Sequence, residues 1–185
     1  MRYFLFALML VPSAALADGC PVAPDHDDLL SDLIRQAQAA PTQGKGLEIG
    51  SQMWQLWAEA PDEASQAMLD SGMSKRRVAD YLGAIDDFNR LVDYCPHYAE
   101  GYNQRAFVNY LLQNYSTALA DLDMALSLSP RHVAAIAGRA LTLLALDRID
   151  EARVALAEAL ELNPWLNERG LAAAGGPLAP AGKDL

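Results

Sequence analysis

The sequence predicts an all-α protein: an α-solenoid of stacked antiparallel helix hairpins, about four repeats long, with a short C-terminal capping helix. Two observations predict it. First, Pro96, Pro130 and Pro164 stand one 34-residue period apart, and the residues before them recur in step. Twelve before each proline is alanine (Ala84, Ala118, Ala152), and eight before is a large apolar residue (Phe88, Leu122, Leu156). Twenty-four before, the residue is small (Gly72, Ala106, Ala140); twenty-eight before, it is large (Met68, Tyr102, Ile136). Small residues where two helices must touch, with large ones filling the gaps, are what stacked helix–turn–helix units require. Second, a weaker copy lies upstream: counted back from Pro61, the same offsets give Leu33, Ala37, Ile49, Met53, Leu56 and Trp57.

Taken in order, residues 1–17 read as an export signal. Arg2 supplies positive charge, an apolar run follows, and Ala15-Leu16-Ala17 is a small-x-small cleavage triplet with Asp18 next. The run is shorter than the roughly 20 residues a membrane span needs. This predicts a periplasmic protein with no transmembrane segment in its mature form. Lipid anchoring through Cys20 fits less well, because Asp18 stands two residues before the cysteine. Residues 18–27 form an N-terminal arm, and 28–64 the degenerate hairpin, with Gly44 and Gly46 expected at its turn. Residues 65–166 hold three regular repeats. Residues 167–174 would cap the last stacking face, and the Gly/Pro/Ala-rich stretch 175–185 reads as a flexible tail.

The repeats resemble the tetratricopeptide repeat (TPR) family, whose second helix carries A-x3-F followed by proline. Here that half reads AIDDF from Ala84, ALADL from Ala118 and ARVAL from Ala152. The first-helix half departs from the pattern. Ser71, Arg105 and Arg139 stand where leucine is expected, and Lys75, Asn109 and Leu143 where tyrosine is. The resemblance implies that first helices line a concave groove. It places Leu69, Met73, Arg76 and Arg77 there from the first regular repeat, and Asn103, Phe107, Tyr110 and Leu111 from the next. The last contributes Ala137, Leu141, Leu144 and Ala145. Phe107 and Tyr110 could clamp a peptide, and Leu141 with Leu144 could take an apolar side chain unless the C-terminal helix covers them.

Composition narrows the partners. The formal charge is −10, which disfavours nucleic acid and anionic membrane surfaces. Lys75-Arg76-Arg77 is a local exception near a helix C-terminus, where cations complement the dipole. Two cysteines in an exported chain predict a Cys20–Cys95 disulfide, which would stabilise by about 4 kcal/mol in the chain-entropy model.

Chemistry is hard to find. His97 and His132 follow prolines in equivalent turns and read as turn residues. Asp25-His26-Asp27-Asp28 lacks the spaced partners that a metal site requires, and its acids suit a helix N-terminus. There is no phosphate loop, nucleophile elbow or zinc-protease motif. Asp86, Asp87, Asp121 and Asp123 read as a solvated face. The expectation is a non-enzymatic module without cofactor or metal, binding a protein or peptide in the cell envelope. Two alternatives stay open: an accessory subunit with a minor catalytic or metal role, and a self-associating structural solenoid.

Overall fold

Eight α-helices and one 3₁₀ turn make up residues 19–180, the part of the chain that the computed structural model describes. The expected export segment 1–17 lies outside the described residues. The helices are α1 (Asp27–Gln38), α2 (Gln43–Trp57), α3 (Glu63–Arg77) and α4 (Tyr81–Tyr94). They continue as α5 (Ala99–Leu111), α6 (Tyr115–Leu128), α7 (Val133–Ala145) and α8 (Ile149–Leu162), followed by the 3₁₀ turn Asn167–Ala172. No strand occurs among the described residues.

The three regular hairpins, α3–α4, α5–α6 and α7–α8, are built on the periodic residues. Ala84, Ala118 and Ala152 are fully buried, as are Ala106 and Ala140 on the facing helices. At Gly72 the approach is tight: an added Cβ would lie 2.5 Å from the Phe88 ring. Each hairpin turns in the same way. The N–H groups of Asp80, Asn114 and Arg148 close back on the carbonyls of Lys75, Asn109 and Leu143. The residue before each, Ala79, Gln113 or Asp147, takes the left-handed conformation, with φ of 62°, 62° and 59°. Glycine usually occupies that position, so these three side chains cost about 1–2 kcal/mol each in backbone strain. The α4–α5 and α6–α7 contacts then stack the hairpins into the solenoid.

The family-pattern departures at 71, 105 and 139 have a physical reason. They form a polar ladder with second-helix acids that the sequence reading had placed in solvent. Asp87 is fully buried, and receives hydrogen bonds from Ser71 (2.6 Å) and Arg90 and an ion pair from Lys75 (2.7 Å). Asp121 is buried and takes both prongs of the Arg105 guanidinium, at 2.9 and 2.7 Å. Arg105 also reaches Asn89 on the preceding hairpin, and Arg139 reaches Asp123 the same way. Asp86 and Asp123 are exposed.

The first hairpin does not extend the stack. Gly44 and Gly46, expected at its turn, lie inside α2, and the turn runs through residues 39–42. α2 makes no packing against α3 comparable to the other inter-repeat contacts; instead α1 touches α8. Leu30, Ile34, Ala37, Ile49 and Met53 bury themselves with Val133 of α7, flanked by Leu162 and Leu166. The hairpin therefore crosses the first-helix side of the solenoid along the turns between repeats. Its departure is set at Trp57, whose carbonyl accepts from the Tyr98 hydroxyl at 2.7 Å. Asp62 and Ser65 then cap α3 reciprocally and restart the chain in a new direction. At the other end, Cys20 is disulfide-bonded to Cys95 in the α4–α5 turn, with the Cα atoms 5.0 Å apart.

The C-terminus also differs from expectation. A 3₁₀ turn replaces the capping helix, because Gly170 falls within the stretch and Gly175, Gly176 and Pro177 follow close behind it. The tail packs back through residue 180: Leu178 is fully buried against Leu143, Ala152 and Leu156, covering what would otherwise be an exposed end of the stack.

Three outcomes follow for stability. Ala106→Leu should overpack the α5–α6 contact by roughly 1–3 kcal/mol, read from chemical denaturation; an unchanged midpoint would place residue 106 elsewhere. Burial raises the Asp87 carboxyl's affinity for protons, but hydrogen bonds from Lys75, Ser71 and Arg90 outweigh it and hold it below the ordinary carboxylate range. Its stabilisation is thus complete above the unfolded value of about 3.9 and lost as pH falls below it. Asp87→Asn should flatten the decline in melting temperature on acidification below about pH 4 relative to wild type. Cys20→Ser should cost about 2–4 kcal/mol, and hydrogen exchange should quicken in α1 and α2 before the regular repeats.

Candidate functional site

Because the hairpin lies across the solenoid without filling it, a cleft of about 420 Å³ remains between α2 and the first helices of the repeats. One wall is Leu47, Met53 and Trp54 of α2. The opposite wall is Phe107 and Tyr110 of α5 with Ala137 and Leu141 of α7. Arg76 joins the lining from α3, and Glu168 from the C-terminal turn. Leu47, Trp54 and Phe107 are 42, 38 and 43 % exposed, large apolar side chains left open to solvent on both sides.

Beneath the cleft lies a buried polar knot. The ring Nδ1 of His132 accepts the Ala135 N–H and caps α7, so its proton sits on Nε2 and is donated to Glu100 at 2.8 Å. Glu100 also accepts from the side-chain amides of Asn103 and Gln104. Both partners of the His132–Glu100 contact are fully enclosed, which neutral imidazole and three donors make tolerable. Trp57 stacks on His132 with ring centroids 4.2 Å apart and planes 14° from parallel. Farther along, Trp165 Nε1–H donates to the Ala37 carbonyl at 3.0 Å, and Gly46 gives the Trp165 ring its room, since a Cβ there would occupy it. Gln38 reaches the Glu161 carbonyl, and Arg131 reaches Ser31 and Asp27.

The residues expected in the groove divide. Arg76, Asn103, Phe107, Tyr110, Ala137 and Leu141 line the cleft. Arg76 lies over the Phe107 ring, 4.5 Å from its centroid. Of these, Asn103 is buried and committed to Glu100. Leu69 is a fully buried core residue and Met73 packs on the same cluster, because α3 turns that face toward α4. Arg77 and Leu111 are exposed but do not line the cleft, and Ala145 is exposed as well. Leu144 is covered by the C-terminal segment alongside Leu171 and Leu178. His97 is an exposed turn residue, whereas His132 is the buried cap just described.

The α2 wall, Glu100, Gln104 and Trp165 went unforeseen. A signal existed: all three tryptophans fall in the first hairpin or at the very end of the last repeat, the two segments that meet. Among the described residues, no cluster of His, Cys, Asp and Glu is placed to hold a metal, and no helix is long and apolar enough to cross a membrane.

No protein-family model matches the chain. A tetratricopeptide repeat protein 36 homolog from Nematostella vectensis is 41 % identical over 66 residues, covering 36 % of each chain. A TPR repeat-containing protein from Rhizobium etli is 35 % identical over 57 residues, covering 31 % of this chain and 28 % of that one. The match thus spans about a third of the length of these relatives. Among solved structures, the Arabidopsis OM64 TPR domain superposes with a TM-score of 0.58 at 24 % identity, over 60 % of this chain and 91 % of that one. The first TPR of Spaghetti (RPAP3), bound to the HSP90 peptide SRMEEVD, gives 0.57 at 23 %, over 58 and 86 %. MamA from Desulfovibrio magneticus gives 0.51 at 14 %, over 77 and 78 %. The periodic core, the turn geometry and these likenesses agree: the chain folds as an α-solenoid similar to tetratricopeptide repeat domains.

Proposed function

We propose that this protein is a non-catalytic interaction module of the cell envelope that holds a protein or peptide segment in the cleft between α2 and the repeats. The observation that carries the reading is the cleft itself, with large apolar side chains left exposed on both walls and an arginine in its lining. Uncovered apolar surface of this kind, rimmed by polar groups, is where proteins meet partners. A fold neighbour bound to a peptide supports a peptide-sized occupant. The envelope setting draws support from the export-signal pattern of residues 1–17 and from the Cys20–Cys95 disulfide, a bond that oxidising compartments favour.

Binding energy should concentrate on the aromatic pair facing across the cleft, since aromatic anchors tend to dominate recognition. Trp54→Ala with Phe107→Ala should abolish photo-crosslinked capture of partners in cells while the helical circular dichroism stays unchanged. Undiminished capture by that double variant, or an export pool still carrying Met1, would refute the cleft or the location respectively.

A further inference from the structure

We propose that the cleft selects an extended peptide segment bearing an acidic side chain beside a large apolar one, the carboxylate on Arg76 and the apolar group between Trp54 and Phe107. This rests on the peptide-binding reading above and specifies its ligand.

Three observations converge. The first is an unpaired cation. Nine of the twelve described lysines and arginines hold a carboxylate, and of the three that do not, Arg76, Arg77 and Arg169, only Arg76 lines the cleft. Arg76 makes no such pair among the described residues, although it lines the cleft and its Nε is buried without a hydrogen-bond partner. It is held in place by the Phe107 ring rather than by an acid. Burial pulls its guanidinium below the ordinary arginine range, with the charge of Glu100 acting in the opposite direction. An arginine remains charged regardless, so a partly buried guanidinium with an unpartnered Nε–H is suited to a carboxylate.

The second observation is an orphaned acceptor. Gln104 is 4 % exposed and lines the cleft. Its amide nitrogen is pinned to Glu100, which as a carboxylate can only accept, so the amide oxygen must point away; that Oε1 is buried with no partner. A buried acceptor without a donor is costly, and a peptide N–H is the donor an extended segment brings.

The third is polarity along the cleft. Arg76 lines the cleft from α3, the first helix of the regular stack, and Glu168 from the turn after the last helix, so an acidic residue is favoured beside the first and disfavoured beside the second. In a chain of net charge −10, acidic ligands are disfavoured elsewhere on the surface, which makes the site beside Arg76 a selective one. The cleft volume of about 420 Å³ lies toward the lower end of ligand pockets, about 300–1,000 Å³. It suits two or three residues rather than a folded partner surface.

The test uses the full disulfide-bonded chain and end-blocked synthetic octapeptides. Each carries Glu, Gln or Lys next to Phe or Ala on a Gly/Ser background, with binding read by fluorescence polarisation. The Glu–Phe peptide should bind about tenfold more tightly than Gln–Phe, and Lys–Phe should bind worst. Arg76→Gln should erase the Glu-over-Gln preference while keeping Phe over Ala, and Arg76→Lys should restore part of it. Trp54→Ala should erase the Phe-over-Ala preference. Equal binding of Glu–Phe and Gln–Phe to the wild type, or a preference that survives Arg76→Gln, overturns the ligand assignment and leaves the peptide-binding reading standing. Binding of none of the peptides overturns both.

Discussion

The concave side of this solenoid is organised around the stack of the Trp57 indole on the His132 imidazole. His132 can hold a fully buried position because both ring nitrogens are used, one capping α7 and the other donating to Glu100. Glu100 tolerates burial because His132, Asn103 and Gln104 all donate to it. Removing a partner from such a carboxylate is strongly destabilising, so α5, α7 and the end of α2 are held in one mutual arrangement. The placement of the N-terminal hairpin follows from that knot. So does the cleft, which is the space left when a two-helix unit is pinned by its edges and not by its whole face.

Pinning from both ends keeps the space open. The disulfide and the Tyr98 hydroxyl fix the hairpin near the α4–α5 turn, and Trp165 fixes it beside the last repeat. Between those points the facing side chains are not required to interdigitate, and Trp54 and Phe107 remain exposed. The aperture is therefore a property of the contact between two parts of the chain, and no single repeat contains it.

The periodic half of the molecule was legible from sequence because each packing contact repeats. Gly72, Ala106 and Ala140 mark one helix approach three times over, and Phe88, Leu122 and Leu156 mark its counterpart. The first hairpin carried the same offsets but not the same neighbours. Leu33, Ile49 and Met53 show that apolar residues need burial, and an offset does not say against what; here Val133 and Leu162 provide it. The cleft was half legible for this reason. Phe107, Tyr110 and Leu141 follow from repeat geometry, whereas Trp54 and Gln104 depend on a contact between segments far apart in sequence. Asp87 and Asp121 were misplaced because a carboxylate on an amphipathic helix normally faces water, and the cations that draw these two inward sit 16 or fewer residues away on other faces.

The polar ladder has a consequence for modularity. In a solenoid whose helices meet through leucine, one repeat can in principle be exchanged for another, because apolar contacts carry little identity. Here each rung is different. Asp87 is served from its own hairpin by Lys75 and Ser71, while Arg105 joins its own Asp121 to the preceding Asn89. Arg139 turns only backward, to Asp123. Moving the first regular repeat behind another would set Ser71, too short to bridge the gap, where Arg105 or Arg139 now reaches the preceding hairpin. The ladder thus encodes the order of the repeats, and a chain of this kind can lengthen only where its rungs can be rewritten at the same time.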